Sequence, residues 1–258
     1  MSYPKGEICI NPQRDIPLLA LVRDSRFITR SQAFELLKPG SAEYSPKSFN
    51  WRFRRLLAMN YLERVAGNFG KGREVYRITS EGLSQVEGYC GCNLVFNSKT
   101  KQSKNTPLVQ HALALTDIRV ALTKAKILSG WKTDLDMASL NMSTGNAFQK
   151  NYDAVVEVWL EDKTSARFGL EYERTLKGLR HYKKIKEVIE GEDRLGCVLY
   201  LTAGYDMAEY LAKQLAGSSC KIVFADLVAF RTHLLDTLVL TDENLQEAQF
   251  RSLLRGMF

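Results

Sequence analysis

Apolar residues recur at helical spacing through the first sixty residues and then switch to strand spacing. Leu18, Leu21 and Val22 fall at i, i+3 and i+4 in DIPLLALVRDSRF and predict a short helix with Pro17 in its first turn. In TRSQAFELLKPG, Thr29 and Gln32 form a capping-box start and Ala33, Leu36 and Leu37 a buried stripe. Pro39-Gly40 ends that second helix. A third begins at Ser45 as N-cap with Pro46 in the first position. It carries Phe49, Phe53, Leu56 and Leu57 on one face and ends at Asn60, where a left-handed cap is expected. LERVA (Leu62–Ala66) and REVYRIT (Arg73–Thr79) then read as two strands joined by the glycine-rich turn GNFGKG, with SEGLSQVEG as a closing helix. Three helices, a hairpin and a helix in this order predict a winged helix-turn-helix.

Gly88 to Thr106 is rich in Ser, Asn, Lys and Gly and reads as a connector, with a short strand expected around Leu94–Phe96. Beyond it, PLVQHALALTDIRVALTKAKILSG reads as a long helix with Leu115, Ile118, Leu122 and Ala125 on one face. WKTDLDMA follows as a first strand, then a polar segment, then YDAVVEVWL and ARFGLEYE as buried strands about the turn EDKTS. RTLKGLRHYKKIKEVIEG reads as a helix with Leu176, Leu179, Tyr182 and Ile185 inward. GCVLYLT, MAEYLAKQLA and KIVFAD supply a strand, a helix and a strand. THLLDTLVL is a further strand-like run, and Thr241 is expected to cap a last helix with Leu245, Phe250, Leu253 and Leu254. The fold class is thus a two-domain α+β and α/β chain. A winged helix-turn-helix over 1–88 and a basic linker over 89–108 precede an αβββαβαβ domain over 109–258.

With 258 residues, 45% hydrophobic and 25% charged, the chain has room for two cores of ordinary size. No apolar run nears the roughly 20 residues that span a bilayer, and the start lacks a signal-peptide core. A cytoplasmic location without a membrane partner is expected. Five scattered cysteines, including the Cys90/Cys92 pair, read as free thiols rather than a disulfide framework. The net charge of +7 is uneven. Residues 1–88 hold 14 Lys/Arg against 9 Asp/Glu, 89–109 hold three Lys and no acid, and 110–258 come out at −1. The surplus in the first part suggests a polyanion partner there.

The third helix gives that partner a form. Away from its aromatic stripe it presents Lys47, Ser48, Asn50, Trp51, Arg52, Arg54 and Arg55, the residue types that read base edges and hold phosphates in the major groove. Lys71 and Arg73 in the hairpin turn suit contact with a DNA backbone. Such proteins commonly read paired half-sites as homodimers, so double-stranded DNA and a second copy of the chain are the expected partners.

The second domain offers different chemistry. Asp153 opens one strand, and Glu171 and Glu173 lie two apart on the next, so both project to one face. Carboxylates on adjacent strands hold hard divalent cations such as Mg²⁺ or Mn²⁺. The alternative, which the Glu at 173 favours, is that the same three acids are paired with Arg174 and the lysines that follow. The strand order resembles the PD-(D/E)xK nuclease-like fold, in which an Asp and an acid-x-Lys triplet bind metal and the Lys acts on the attacking water. Here position 173 holds Glu, so a catalytic Lys would have to be relocated, with Lys184 on the next helix as one choice.

TRSQAFELL, NYLERV, YRITSEGL, HALALTDIRVAL, YDAVVEV and FGLEYERTLKGLRHYKK occur in an order similar to that of the replication-relaxation family of bacterial plasmids and integrative elements. The resemblance covers roughly residues 15–203. It implies a DNA-binding accessory or regulatory protein of a mobile element, in plasmid replication, mobilisation or transcriptional control. It also implies a nuclease-like second domain and a relaxase or replication protein as partner. The Glu at 173 points to loss of activity in that domain. The alternative is a Mg- or Mn-dependent DNA endonuclease or nicking enzyme that uses Asp153, Glu171, Glu173 and Lys184 and is targeted by the winged helix.

Overall fold

The computed structural model describes residues 9–38, 45–70, 72–95, 106–144, 148–161, 164–215, 217–241 and 244–256. By its internal contacts the chain separates into two units, Met1–Thr116 and Asp117–Phe258. No described helix is long and apolar enough to cross a membrane.

In the first unit, α1 (Asp15–Ser25), β1 (Ile28–Thr29), α2 (Arg30–Leu37) and α3 (Pro46–Ala58) precede the hairpin β2 (Leu62–Val65) and β3 (Val75–Ile78). Helix α4 (Ser80–Cys90) follows. The strands form an antiparallel sheet in the order β1-β3-β2, which is the winged-helix arrangement. The capping box at α2 is present: Gln32 N donates to Thr29 Oγ1 at 3.2 Å and Thr29 N donates to Gln32 Oε1 at 2.9 Å. Asn60 adopts φ 57°, so the left-handed stop expected after α3 is in place. Phe49, Phe53 and Leu56 are buried with Leu18, Leu19 and Val22 of α1, while Leu57 is only half-buried. Gly82 lets α4 close on the hairpin, because a Cβ there would meet the Tyr61 carbonyl oxygen at 2.2 Å.

Helix α5 (Thr106–Lys124) crosses the division between units. In its first half, Val109, Ala112 and Leu113 are buried with Phe27, Val65, Phe69 and Val75 of the first unit. Leu94 and Val95 are described and are not in a strand, contrary to expectation, whereas Phe96 lies outside the described residues. The Val95 carbonyl instead accepts from Arg23 Nη2 at 2.9 Å.

The second unit is a mixed seven-stranded sheet in the order β10-β9-β8-β7-β6-β5-β4. Strands β4 (Leu128–Thr133), β5 (Ala154–Trp159) and β6 (Ser165–Glu173) are antiparallel. Strands β6, β7 (Cys197–Thr202) and β8 (Ile222–Asp226) are parallel, joined through α7 (Leu179–Ile189) and α8 (Tyr205–Leu215). Every residue of β7 is buried, as befits a central strand covered on both faces.

Four expectations are corrected here. The long helix, read as running to Gly130, ends at Lys124, so the first strand starts at Leu128 and ends at Thr133, and α6 (Asp134–Thr144) occupies the stretch read as strand end and polar segment. The cause is a reciprocal cap: Thr133 N donates to Asp136 Oδ2 at 3.0 Å and Asp136 N donates to Thr133 Oγ1 at 3.3 Å. Helix α7 begins only at Leu179, after the extended Gly178, so Leu176 and Leu179 are exposed and the inward face is Tyr182, Ile185 and Ile189. THLLDTLVL is divided among α9 (Leu227–His233), a 3-10 turn and the three-residue β9 (Leu238–Leu240), because Asp226 accepts from Ala229 N at 2.9 Å and starts a helix. Finally, Thr241 starts no helix: β10 (Glu247–Gln249) pairs with β9, and α10 (Phe250–Arg255) follows.

Candidate functional site

Two clusters merit description, one in each unit. On α3, the aromatic stripe fixes the helix. Phe49 lies 5.3 Å from Phe34 and 5.8 Å from Phe53, and Phe53 meets Tyr76 edge-on at 4.8 Å. With that face buried, the polar residues fall into two rows. Lys47, Trp51 and Arg54 follow one another at i, i+4 and i+7 and are exposed, with half-buried Asn50 beside them. Ser48, Arg52 and Arg55 form the second row, which turns toward α1.

The second row meets a buried acid. Asp15, fully buried, receives Arg52 Nη1 on Oδ1 at 3.1 Å and Arg55 Nη2 on Oδ2. Arg52 is itself only 6% exposed. The expectation that Arg52 and Arg55 face a groove with the others is therefore corrected: their charge is spent inside the unit, since a buried carboxylate without a partner would be costly. Arg55 also lies with its guanidinium carbon 5.2 Å from the Trp51 ring centre. The exposed indole thus leans on a cation that the interior holds in place.

In the hairpin, Arg73 is exposed and Lys71 lies outside the described residues. Arg64 pairs with Glu74 at 3.1 Å, and Tyr76 Oη donates to Glu74 at 2.6 Å. The Tyr76 bond and the Arg64 charge hold the Glu74 carboxyl below its ordinary range.

In the second unit, the three predicted acids lie at the ends of β5 and β6. Asp153 directly precedes β5, and its Oδ2 accepts from Tyr172 N at 2.8 Å. Glu171 stands opposite Tyr200 in the β6–β7 register, its side chain 14% exposed, with Lys150 Nζ 2.7 Å from Oε1. Burial, reinforced by the Asp153 charge and opposed by Lys150 and Lys177, pushes the Glu171 carboxyl up to about 7. Glu173 is 5% exposed and pairs with Lys177 Nζ at 2.9 Å. Lys184 is exposed on α7.

Among the described residues, no three His, Cys, Asp or Glu side chains gather closely enough to hold a metal ion. As they stand, the acids fit cations supplied by the chain itself. A divalent ion would have to take Glu171 from Lys150 and Glu173 from Lys177. The five cysteines are free, Cys9, Cys90 and Cys92 exposed and Cys197 and Cys220 buried.

Sequence reasoning passed over Asp15 and Lys150. Asp15 reads as an ordinary acid in a first helical turn, and nothing in the spacing ties it to arginines some forty residues on. Lys150 sits in a polar segment without periodicity.

No protein-family model matches the chain, and no curated protein matches it. Among solved structures it is similar to a mutant MarR of E. coli complexed with operator DNA. The identity is 17% over 30% of this chain and 51% of that one, with a TM-score of 0.27. The chain thus spans about half the length of that protein.

Proposed function

We propose that the chain is a double-stranded-DNA-binding protein that reads DNA with the exposed row of α3 and touches its backbone with the hairpin turn. The observation that carries this reading is the division of α3. Lys47, Asn50, Trp51 and Arg54 form a continuous outward row, while the opposite face is anchored by Phe49, Phe53 and Leu56. An Arg and an Asn on such a row suit guanine and adenine edges, and a Lys suits a phosphate. The positive surplus of the first part of the chain adds long-range attraction.

The finer reading follows from the resemblance in sequence order. It is a regulatory or accessory protein of a mobile element, acting in replication, mobilisation or transcription. A homodimer would read two half-sites, and a relaxase or replication protein would be a further partner. The second unit would serve as a nuclease-like module without catalysis, a reading supported by Lys150 on Glu171 and Lys177 on Glu173.

The test is fluorescence anisotropy with the DNA upstream of the coding sequence against a scrambled duplex. Arg54→Ala and Trp51→Ala are each expected to weaken binding by about 1–3 kcal/mol, roughly 5- to 150-fold, with the thermal melt unchanged. Unchanged affinity in both variants would sink the DNA-binding reading. Incubation of supercoiled DNA with Mg²⁺ or Mn²⁺ tests the non-catalytic module, and cleavage that disappears in Asp153→Ala would replace it by the endonuclease.

A further inference from the structure

The second unit carries a concentration of positive charge that the proposed function leaves largely unassigned. From Arg174 to Lys186 the chain has six Lys/Arg and no acid, within a region whose overall balance is −1. Several other cations of this unit are committed to acids: Arg167 to Glu157, Arg231 to Asp117, Arg251 to Asp236 and Arg255 to Glu161. Lys177 is held by Glu173. Arg180, Lys183 and Lys184 are exposed, and among the described residues no acid pairs with them. At i, i+3 and i+4 they form one ridge on α7. Beside that ridge lies a groove of about 550 Å³ lined by Leu179, Arg180, Lys183 and Lys186 of α7 and Gln214 of α8.

We infer that this ridge is a second, sequence-independent binding surface for the phosphate backbone of nucleic acid, separate from α3. Three cations about one helical turn apart, unpaired among the described residues, suit backbone phosphates, and no acid stands between Arg180 and Lys184 in the sequence. The groove is within the roughly 300–1,000 Å³ range of pockets that hold small ligand groups. Glu187 and Glu190 also line the groove and follow the ridge in the chain, so the anion is expected nearer Arg180. Base readout has no platform here, because Tyr182 is buried and its hydroxyl accepts from Lys177 N at 2.8 Å. The same burial argues against an anionic membrane as the ligand. An interfacial helix inserts its apolar face into lipid, and the Tyr182–Ile189 face of α7 is already packed into the core of the unit.

The test uses the full chain and a labelled duplex of scrambled sequence, titrated at several salt concentrations. Four proteins are compared: the parent, Arg180→Gln/Lys183→Gln/Lys184→Gln, the α3 variant Trp51→Ala/Arg54→Ala, and the two sets combined. The triple change is expected to reduce the slope of log K against log salt by about 3, nearly one per phosphate contact, in both backgrounds. Lys183→Gln/Lys184→Gln, the milder control for folding, is expected to reduce it by about 2. An unchanged slope and affinity in both backgrounds would overturn the proposal. So would binding to phosphatidylserine vesicles that the triple change abolishes while DNA binding stays intact. An effect of the α7 changes without any effect of the α3 changes would sustain this surface and remove the one proposed for α3.

Discussion

Each unit holds a small cluster of acids and bases, and the two differ in which member can change charge. In the first, one acid faces two bases: Asp15 between Arg52 and Arg55. In the second, Glu171 pairs with Lys150 and Glu173 with Lys177, and the Asp153 charge bears on Glu171. The two clusters differ in what they can do about burial. A guanidinium keeps its proton in a protein, so the two arginines of the first cluster depend on Asp15. A carboxylate can take up a proton, and Glu171, pushed up to about 7, is poised to do so. The first cluster is a fixed clamp that sets where α3 lies. The second can change charge near neutral pH.

The sharpest way to break this comparison is to remove the sole acid of the first cluster. Asp15→Ala leaves two guanidiniums facing each other in the interior and is expected to cost about 3–5 kcal/mol, the penalty for opening a buried ion pair from one side. Urea unfolding followed by far-ultraviolet circular dichroism measures it. Asp15→Asn, which keeps the acceptor oxygen, is expected to cost less. If Asp15→Ala unfolds like the parent, the clamp is not what holds α3 in place.

A second change tests relief by protonation. Because the Glu171 carboxyl is raised in the folded chain, the folded form holds its proton more tightly than the unfolded form does. The resulting stability is complete below pH 4.5 and is lost as pH rises toward about 7. Glu171→Gln removes that dependence. Relative to the parent, the variant is expected to gain about 2–3 kcal/mol between the two ends of that window. Urea midpoints across pH would show it, and parallel curves for the two proteins would contradict it. Lys150→Met should carry the Glu171 midpoint higher still, because the Lys150 charge now holds it down.

The comparison also marks what could be read from the chain. Stripes set by neighbours within a few residues were legible: Phe49, Phe53 and Leu56 face inward, Thr29 and Gln32 form their box, and Asn60 turns left-handed. Asp153, Glu171 and Glu173 were legible as strand-end acids because strand alternation is local. Their partners were only partly so. Lys177 is four residues from Glu173, but Lys150 reaches Glu171 from a segment with no pattern. Arg52 and Arg55 read as solvent-facing because their partner lies 37 and 40 residues away. Helix α6 was missed because only Leu135 and Met137 of its described residues are fully buried, too few to show a period.

The smallest expected effect calibrates the other two. Arg167 on β6 stands opposite Glu157 on β5, with Nε donating to Oε1 at 2.6 Å. Here both partners reach water, the side chains being 48% and 29% exposed. A cross-strand pair of this kind contributes about 0.2–1 kcal/mol, so Arg167→Ala should shift the urea midpoint only slightly. Raising the salt toward about 1 M, where screening extends over only ~3 Å, should erase most of that shift. The Asp15→Ala cost should survive the same salt, because counter-ions do not enter a site from which solvent is excluded. Equal salt sensitivity in the two variants would mean that Asp15 and its arginines are wet, and that burial does not distinguish the clamp from an ordinary surface pair.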